Sequence, residues 1–520
     1  MPHLKKILLV RPPRYLWPVV NESDNYMMPL GLACLASMIQ RNMPEVEVKI
    51  IDCPPLKIGW KSLADILRRE APDVVGAGEE ALYHHEAVRL FTLAKQLNPQ
   101  VVTVAGGHFF SWTVRDSLAR YPIDYIVRFE GEATFLELMR VLRDDTGVDK
   151  VQGIAYKKGA DIILNPLRPL IQNLDEFPIP AYGLMPMGDY SPFGYFWPQG
   201  ATIEHGRGCV DKCSFCSLWT FWGEQKQADA ESGVFNPVPR YRTKSVGRVL
   251  EEIDLLYNKY KRKYLIWADP TFNVDPHWTG EFCDGLIQRG YKDLFWWAFI
   301  RADLLVRDEK MGVLKKMVCA GLINAFIGLE RADNRDLNAV DKNYNIEVCQ
   351  EAFRILKEKY PSVHRQGTLL TGIRQEKKRS IFAMVDYALD AGVEFMILHP
   401  ITPVPGTFVY QEAQAKGWIA EKDFSKYDWL QPVMSIENMS LKELGKWTKM
   451  ASLKFLLSRW FEAIRGLLSP YIHRRRLYLW FMKIFIVGML DDIKDTLMNR
   501  KKTKRFNRFL TMHKPAWYDD

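Results

Sequence analysis

A chain of 520 residues is too long for one ordinary core and has room for two to four domains. At 48% hydrophobic and 26% charged it has the balance of a globular protein in water, and Met1-Pro2-His3-Leu4-Lys5-Lys6-Ile7 reads as the approach to a strand rather than a signal peptide. A net charge of +9 would suit nucleic acid, but no nucleic-acid-binding motif is present, and the surplus crowds toward the end, at Arg474, Arg475, Arg476, Arg500, Lys501, Lys502, Lys504, Arg505 and Arg508.

Residues 1–145 alternate β-rich runs with amphipathic helical runs. The strands are Lys6–Val10, Val46–Asp52, Asp73–Gly78, Val101–Gly107 and Asp124–Val127. Near-continuous Val and Ile between helices argues a doubly wound parallel sheet covered on both faces. Such sheets bind ligands beyond the C-terminal strand ends. Arg11-Pro12-Pro13, Gly76-Ala77-Gly78-Glu79, Gly106-Gly107-His108 and Glu130-Gly131-Glu132 all fall there. No G-x-G-x-x-G follows the first strand, which argues against NAD or FAD. Residues 146–195 form a linker with one β-type run, Val151–Tyr156, and a proline-rich passage, Phe177-Pro178-Ile179-Pro180.

Three cysteines then occur in one run, Cys209-Val-Asp-Lys-Cys213-Ser-Phe-Cys216, after Glu204-His205-Gly206-Arg207-Gly208. Three thiolates this close can hold three corners of a [4Fe–4S] cluster and leave the fourth iron open. Two other chemistries use such cysteines. Zinc needs four closed ligands, and the nearby fourth candidate is His205. Disulfides suit small secreted chains. The other five cysteines, Cys34, Cys53, Cys283, Cys319 and Cys349, are scattered singly, as in a reducing compartment, and a cytoplasmic location is expected.

From 196 to 415 strands and helices alternate again. The strands are Lys263–Asp269, Phe295–Arg301, Leu322–Glu330, Gln366–Gly372 and Phe395–Pro400. A β/α succession of this kind gathers reactive groups at the C-terminal strand ends. Asp269, Pro270, Arg301, Glu330 and Thr371 lie there. Asp275-Pro276-His277-Trp278-Thr279-Gly280 matches the letters of a D-x-H-x-x-G loop, but Asp275 followed by Pro276 reads as a helix start. Residues 416–520 become helical and end in a basic tail. The run Leu477–Leu490 is strongly apolar but short for a bilayer span. It could lie in a membrane interface with its cations toward lipid phosphates, or pack over the barrel mouth.

The cysteine run, with Phe215 before its last member, resembles the signature of the radical S-adenosylmethionine (SAM) superfamily. The resemblance implies that SAM chelates the open iron and is split there to a 5′-deoxyadenosyl radical, which takes hydrogen from an unactivated carbon. It also implies a partial (β/α) barrel. Phe215, Asp269, Pro270, Arg301, Glu330 and Thr371 become expected SAM-binding residues. Asp269 sits where the family binds the SAM amino group, and the Arg301 fork suits its carboxylate or ribose. The family's G-x-P-x-E stretch is replaced by Thr371-Gly372-Ile373-Arg374-Gln375-Glu376, which leaves the adenine contact open.

Met28-Pro29-Leu30-Gly31-Leu32-Ala33, Val104–His108 and Glu130–Phe135, taken in order, resemble the cobalamin-binding domain that precedes the cluster motif in one class of that superfamily. Pro13, Gly76, Gly78, Glu79, Gly106, Gly107, His108, Glu130, Gly131 and Glu132 are then expected at the cobalamin. His108, or the pair His84-His85, could approach the lower face of the corrin. Cys213–Trp222 and Tyr427–Met434 are most similar to the anaerobic magnesium-protoporphyrin monomethyl ester oxidative cyclases, whose relatives include lipid and natural-product methylases. C-methylation is the expected reaction, with oxidative cyclisation or oxygenation of a tetrapyrrole as the alternative, and a cluster-bearing electron-transfer or binding protein as the reading outside enzymes. The expected partners are a large, partly apolar substrate and an electron donor such as flavodoxin or ferredoxin.

Overall fold

In a computed structural model the described residues are 4–14, 27–190, 200–226, 236–497 and 514–520. The first sheet has seven strands: β1 (Lys6–Arg11), β2 (Glu47–Asp52), β3 (Val74–Gly78), β4 (Val102–Gly106), β5 (Tyr125–Val127), β6 (Ile154–Lys158) and β7 (Asp161–Leu164), in the spatial order β2-β1-β3-β4-β5-β6-β7. The first five run parallel. β6 and β7 are antiparallel and close one edge. Residues 146–164, read as linker, thus continue the sheet.

Alternation of side chains divides this sheet between two cores. Ile7, Leu9, Val48 and Val104 face the helices Leu30–Asn42 and Glu132–Asp144. Leu8, Val10, Val75 and Ala105 face Trp60–Glu70 and His84–Leu97. The order reverses between β1 and β3, which opens a crevice at the carboxyl ends of the strands.

The second sheet has six parallel strands: β8 (Gly200–Ile203), β11 (Tyr264–Trp267), β12 (Phe295–Ile300), β13 (Leu322–Glu330), β14 (His364–Thr371) and β15 (Phe395–Pro400), laid down in sequence order. This is the open arc of a partial barrel. Leu265, Trp267, Trp296, Ala298, Ile327 and Leu329 point outward under the helices. Tyr264, Ile266 and Trp297, with Phe295 and Phe299, point to the other face. A two-stranded ribbon, β9 (Gly206–Gly208) against β10 (Tyr241–Thr243), follows β8.

The proline-rich passage leads into a strap between the sheets whose Tyr182 and Tyr190 are buried. Tyr182 donates to Glu252 at 2.6 Å and Tyr190 donates to Asp52 in β2. The core that carries Ile7 and Leu9 also carries Tyr182, Tyr190 and Leu265, so it is continuous across both sheets.

The C-terminal region is helical, in Leu441–Ser458, Trp460–Leu467 and Ile472–Leu497. The last helix packs at the opposite end of the barrel from the expected mouth. Its Leu477 and Trp480 join Tyr264, Ile266 and Trp297, and its Arg474 pairs with Glu394, just before β15. Arg474 is therefore a buried clamp, not a lipid-facing cation. Arg500, Lys501, Lys502, Lys504, Arg505 and Arg508 lie outside the described residues. Among those described, no helix is long and apolar enough to cross a membrane.

Candidate active site between the two sheets

The cysteine run leaves β9 and ends at the helix Ser217–Trp222. Gly208 makes the exit possible: its φ is +88°, and a Cβ there would lie 1.8 Å from the Arg240 carbonyl oxygen. The loop is fixed on several sides. The Ser214 amide donates to the Val340 carbonyl at 3.3 Å, and the Val409 amide donates to the Ser214 carbonyl at 3.1 Å. Trp219 Nε1 donates to the Cys213 carbonyl at 2.8 Å. Asp211, inside the run, accepts from Asn343 and pairs with Arg301 at 2.6 Å. Apart from Trp219, on the helix after Cys216, these anchors come from the C-terminal ends of the barrel strands or from the segments that follow them.

All three thiols are free of disulfides. Burial pushes Cys213 well above the ordinary thiol range and Cys216 up to about 11. The Lys342 ammonium opposes this at both cysteines, and the Leu218 and Trp219 amides oppose it at Cys216. Buried thiols held beside amide donors and a cation suit a cluster, whose iron supplies the charge that keeps them deprotonated.

His205 does not complete a zinc site. Its Nδ1 is 2.7 Å from Asp269, its Nε2 is 3.1 Å from the Tyr241 hydroxyl, and its ring stacks on Trp278 at 4.1 Å. Its two nitrogens face Asp269 and Tyr241 rather than a thiol. Among the described residues no three His, Cys, Asp or Glu side chains converge on a single-ion position.

The expected SAM residues surround this loop, but most are spent on the protein itself. Asp269, fully buried, accepts the His205 amide at 3.2 Å and the Gly206 amide at 2.5 Å. It thereby holds the entry to the cysteine run rather than an open space. Thr271, two residues on, lies 3.4 Å from the Cys209 sulfur. Arg301 pairs with Asp211 and with Asp303 at 2.9 Å. Glu330 has φ +61° and takes Lys342 Nζ at 3.1 Å. Burial raises its pKa, and Lys342 works against that. Thr371 is buried against the Thr448 hydroxyl at 3.0 Å. Glu376, in the stretch that departs from the family pattern, is buried and paired with Arg331 at 2.6 Å. Phe215 packs beside Leu370 and Ile401.

The first sheet presents its strand ends to the same place. Gly107, at φ +80°, starts a helix so close to β3 that a Cβ would lie 3.1 Å from the Glu79 amide; Gly78 and Gly106 pair directly beneath it. His108 stacks on Phe221 of the helix after Cys216, with ring centroids 4.0 Å apart, and burial lowers its pKa to about 4. Pro13 is buried just beyond β1, and Gly76 lies within β3. Glu79 pairs with Arg14 at 3.1 Å, and burial pushes its pKa up to about 7 against that pairing. His84 Nδ1 donates to the Ala81 carbonyl at 2.6 Å and its ring stacks on Phe109, while His85 is 3.4 Å from Asp423. Asp275 caps the helix Pro276–Arg289 through the His277 and Trp278 amides, so the D-x-H-x-x-G lookalike is a helix start.

Glu130 and Glu132, on either side of Gly131, do something the linear reading missed. They receive Arg207, the residue between the two glycines of β9. Arg207 lies 2.5 Å from Glu132, 2.9 Å from Glu204 and 3.4 Å from Glu130, and Arg242 lies 2.9 Å from Glu130. All five side chains are buried. Burial works against the Arg207 charge, but Glu132 and Glu204 hold it on; the same contact outweighs burial at Glu132 and lowers its pKa. The two sheets are thus locked together two residues before Cys209. A cavity of about 280 Å³ opens beside the lock, among Phe129, Glu130, Arg168, Gln225 and Arg240.

Residues 16–139 match the B12 binding domain model and residues 203–393 the radical SAM superfamily model. An uncharacterized methyltransferase of Pyrococcus horikoshii is 31% identical over 90% of this chain and 98% of its own length. The chain belongs to the cobalamin-dependent radical SAM enzymes. The anaerobic magnesium-protoporphyrin IX monomethyl ester cyclase of Cereibacter sphaeroides is 27% identical over 76% of this chain and 61% of its own. In fold, the chain is similar to the radical SAM methyltransferase TsrM from Kitasatospora setae, solved with cobalamin and a [4Fe–4S] cluster bound. The TM-score is 0.65 at 14% identity, over 87% of this chain and 89% of that one. Cobalamin, SAM and a [4Fe–4S] cluster are the cofactors of this class, and this chain is a radical SAM enzyme of the methyltransferase type.

Proposed function

We propose that this enzyme methylates a carbon of a partly apolar small molecule, with Cys209, Cys213 and Cys216 holding the cluster. When bound, SAM and the cluster supply a hydrogen-abstracting radical, and cobalamin supplies the methyl group. Asp269 fixes the approach to Cys209, and Arg301 fixes the loop through Asp211. Gly106, Gly107 and His108, with the ends of β1, β3 and β5, would hold the corrinoid. One observation carries the reading: the glycine-lined ends of the first sheet and the cysteine loop meet at one junction, through Arg207 with Glu130 and Glu132 and through His108 on Phe221. Groups held on the two sides therefore share one water-poor space. Phe299 and Phe326, in edge contact on the inner barrel face at 4.8 Å, favour an apolar substrate. His399 on β15, whose pKa burial lowers to about 4, adds a neutral hydrogen-bonding group. The reductant is a small one-electron carrier such as flavodoxin or ferredoxin.

Anoxic turnover with SAM tests this. The proposal expects 5′-deoxyadenosine together with S-adenosylhomocysteine, since methyl transfer consumes a second SAM. Likeness to the magnesium-protoporphyrin cyclase supports a second reading, oxidative cyclisation or oxygenation of a tetrapyrrole. That reaction yields 5′-deoxyadenosine without S-adenosylhomocysteine. Neither product would leave a binding or electron-transfer protein.

A further inference from the structure

The helices Leu441–Ser458 and Trp460–Leu467 are apolar on two faces. One face is accounted for: Leu444, Ala451 and Phe455 are buried in the main core. The other is bare. Leu457 is 64% exposed, Trp460 60%, Phe461 71% and Leu468 78%, with Leu456 and Ile472 beside them also exposed. Trp460, Ile464 and Leu468 keep a spacing of four along the second helix and its end, with Phe461 alongside, and Leu456 and Leu457 close the first helix just before it, so these side chains form one stripe across the joint rather than scattered singles. A contiguous apolar stripe of this kind marks an interaction surface.

The charge around the stripe says what covers it. Residues 441–490 contain ten Lys and Arg against two Glu; with Arg474 buried on Glu394 and Lys454 paired with Asp386, eight cations remain against Glu443 and Glu462. Arg465, within the stripe, is exposed and shares Glu462 at 3.1 Å; Arg475 and Lys483 are exposed on the next helix. Aromatic and leucine side chains ringed by cations match an anionic lipid surface, where rings and aliphatic chains enter the headgroup boundary and cations meet phosphates.

We propose that the face formed by Leu456, Leu457, Trp460, Phe461, Leu468 and Ile472 docks the enzyme on the surface of an anionic lipid bilayer. This differs from the reading of Leu477–Leu490 as the interfacial segment, because that helix begins inside the barrel's lower end and its Trp480 is buried there. The stripe lies on Leu441–Ser458, which packs against β15 and the helix Lys378–Ala391, and on Trp460–Leu467, which packs against the helix from Ile472, so docking leaves the cysteine loop untouched.

The test is cosedimentation of the full-length protein with vesicles of phosphatidylglycerol and phosphatidylcholine, against phosphatidylcholine alone. Binding to the anionic vesicles, weakened by salt, is expected, and Trp460→Glu/Phe461→Glu lowers the partition by at least about tenfold. No binding of the wild type to anionic vesicles overturns the proposal. So does a wild-type dimer that the same variant splits while vesicle binding is unchanged, since the stripe is then a contact between copies. If the double variant does not fold, brominated lipid in the anionic vesicles decides: wild-type fluorescence is quenched by a fraction that Trp460→Leu removes, and equal quenching in both overturns the proposal.

Discussion

Replacing Arg207 by Met tests the lock between the sheets. The side chain lies within 2.5–3.4 Å of three carboxylates. It is 3% exposed, and Glu130, Glu132 and Glu204 are each below 10%. Arg242 would still neutralise Glu130 at 2.9 Å, so Glu132 and Glu204 are the charges left stranded. Removing one partner of a buried pair costs about 3–5 kcal/mol, because the remaining charge has neither water nor partner. The sign with pH follows from Glu132, whose carboxyl Arg207 holds below its ordinary range. A depressed carboxylate contributes stability above its unfolded pKa and loses it as pH falls through the folded value. The penalty of Arg207→Met is therefore larger at pH 7.5 than at about pH 4, where falling pH protonates the stranded Glu132. Urea unfolding followed by fluorescence, at both pH values, reads it from the first transition. Arg207→Lys keeps the charge but loses the fork and recovers part of the loss. A penalty under about 1 kcal/mol, or one that grows toward acid pH, would refute the argument.

Three further outcomes are expected. Cys213→Ala loses the brown cluster absorbance and SAM cleavage together; cleavage that survives would remove Cys213 from the ligand set. Asp269→Asn lowers iron loading, because Asp269 holds the His205 and Gly206 amides ahead of Cys209; full loading with weaker SAM binding would make it a direct SAM contact instead. Glu394→Gln strands Arg365 and Arg474, both buried, at a cost of about 3–5 kcal/mol. It also opens the helix that starts at Ile472 to protease, and unchanged cleavage would refute the clamp. In the wild type, burial opposes the Glu394 charge but His364, Arg365 and Arg474 hold its pKa at about 2, so this clamp weakens as pH falls toward that value.

Local features were legible in the sequence and distant pairings were not. The Cys209, Cys213 and Cys216 run is read from spacing alone, and strands such as Phe295–Ile300 announce themselves by apolar β-formers. β8 and β9 do not: Gly-Ala-Thr-Ile is short, and Gly206-Arg207-Gly208 has no strand propensity, being held by β10. Asp269, Arg301 and Glu330 were found as strand-end polar residues, but what each faces depends on partners up to 90 residues away, such as Asp211 for Arg301. The Arg207 lock joins residues 75 and 77 positions apart in sequence. Its one signal in the linear chain is a bulky cation between two glycines beside the cysteine run, next to an unexplained Glu-Gly-Glu. The apolar run at Leu477–Leu490 was visible, but its reading as a lid on the mouth failed because Arg474 ties it to Glu394 at the strand starts.

Mössbauer spectroscopy of anoxically reconstituted, iron-57-loaded protein, with and without SAM, tests the central claim most directly. Three cysteine-bound irons that ignore SAM and one iron whose signal shifts when SAM is added are predicted. Four irons indifferent to SAM, or a loop that takes up zinc in place of a cluster, would contradict it.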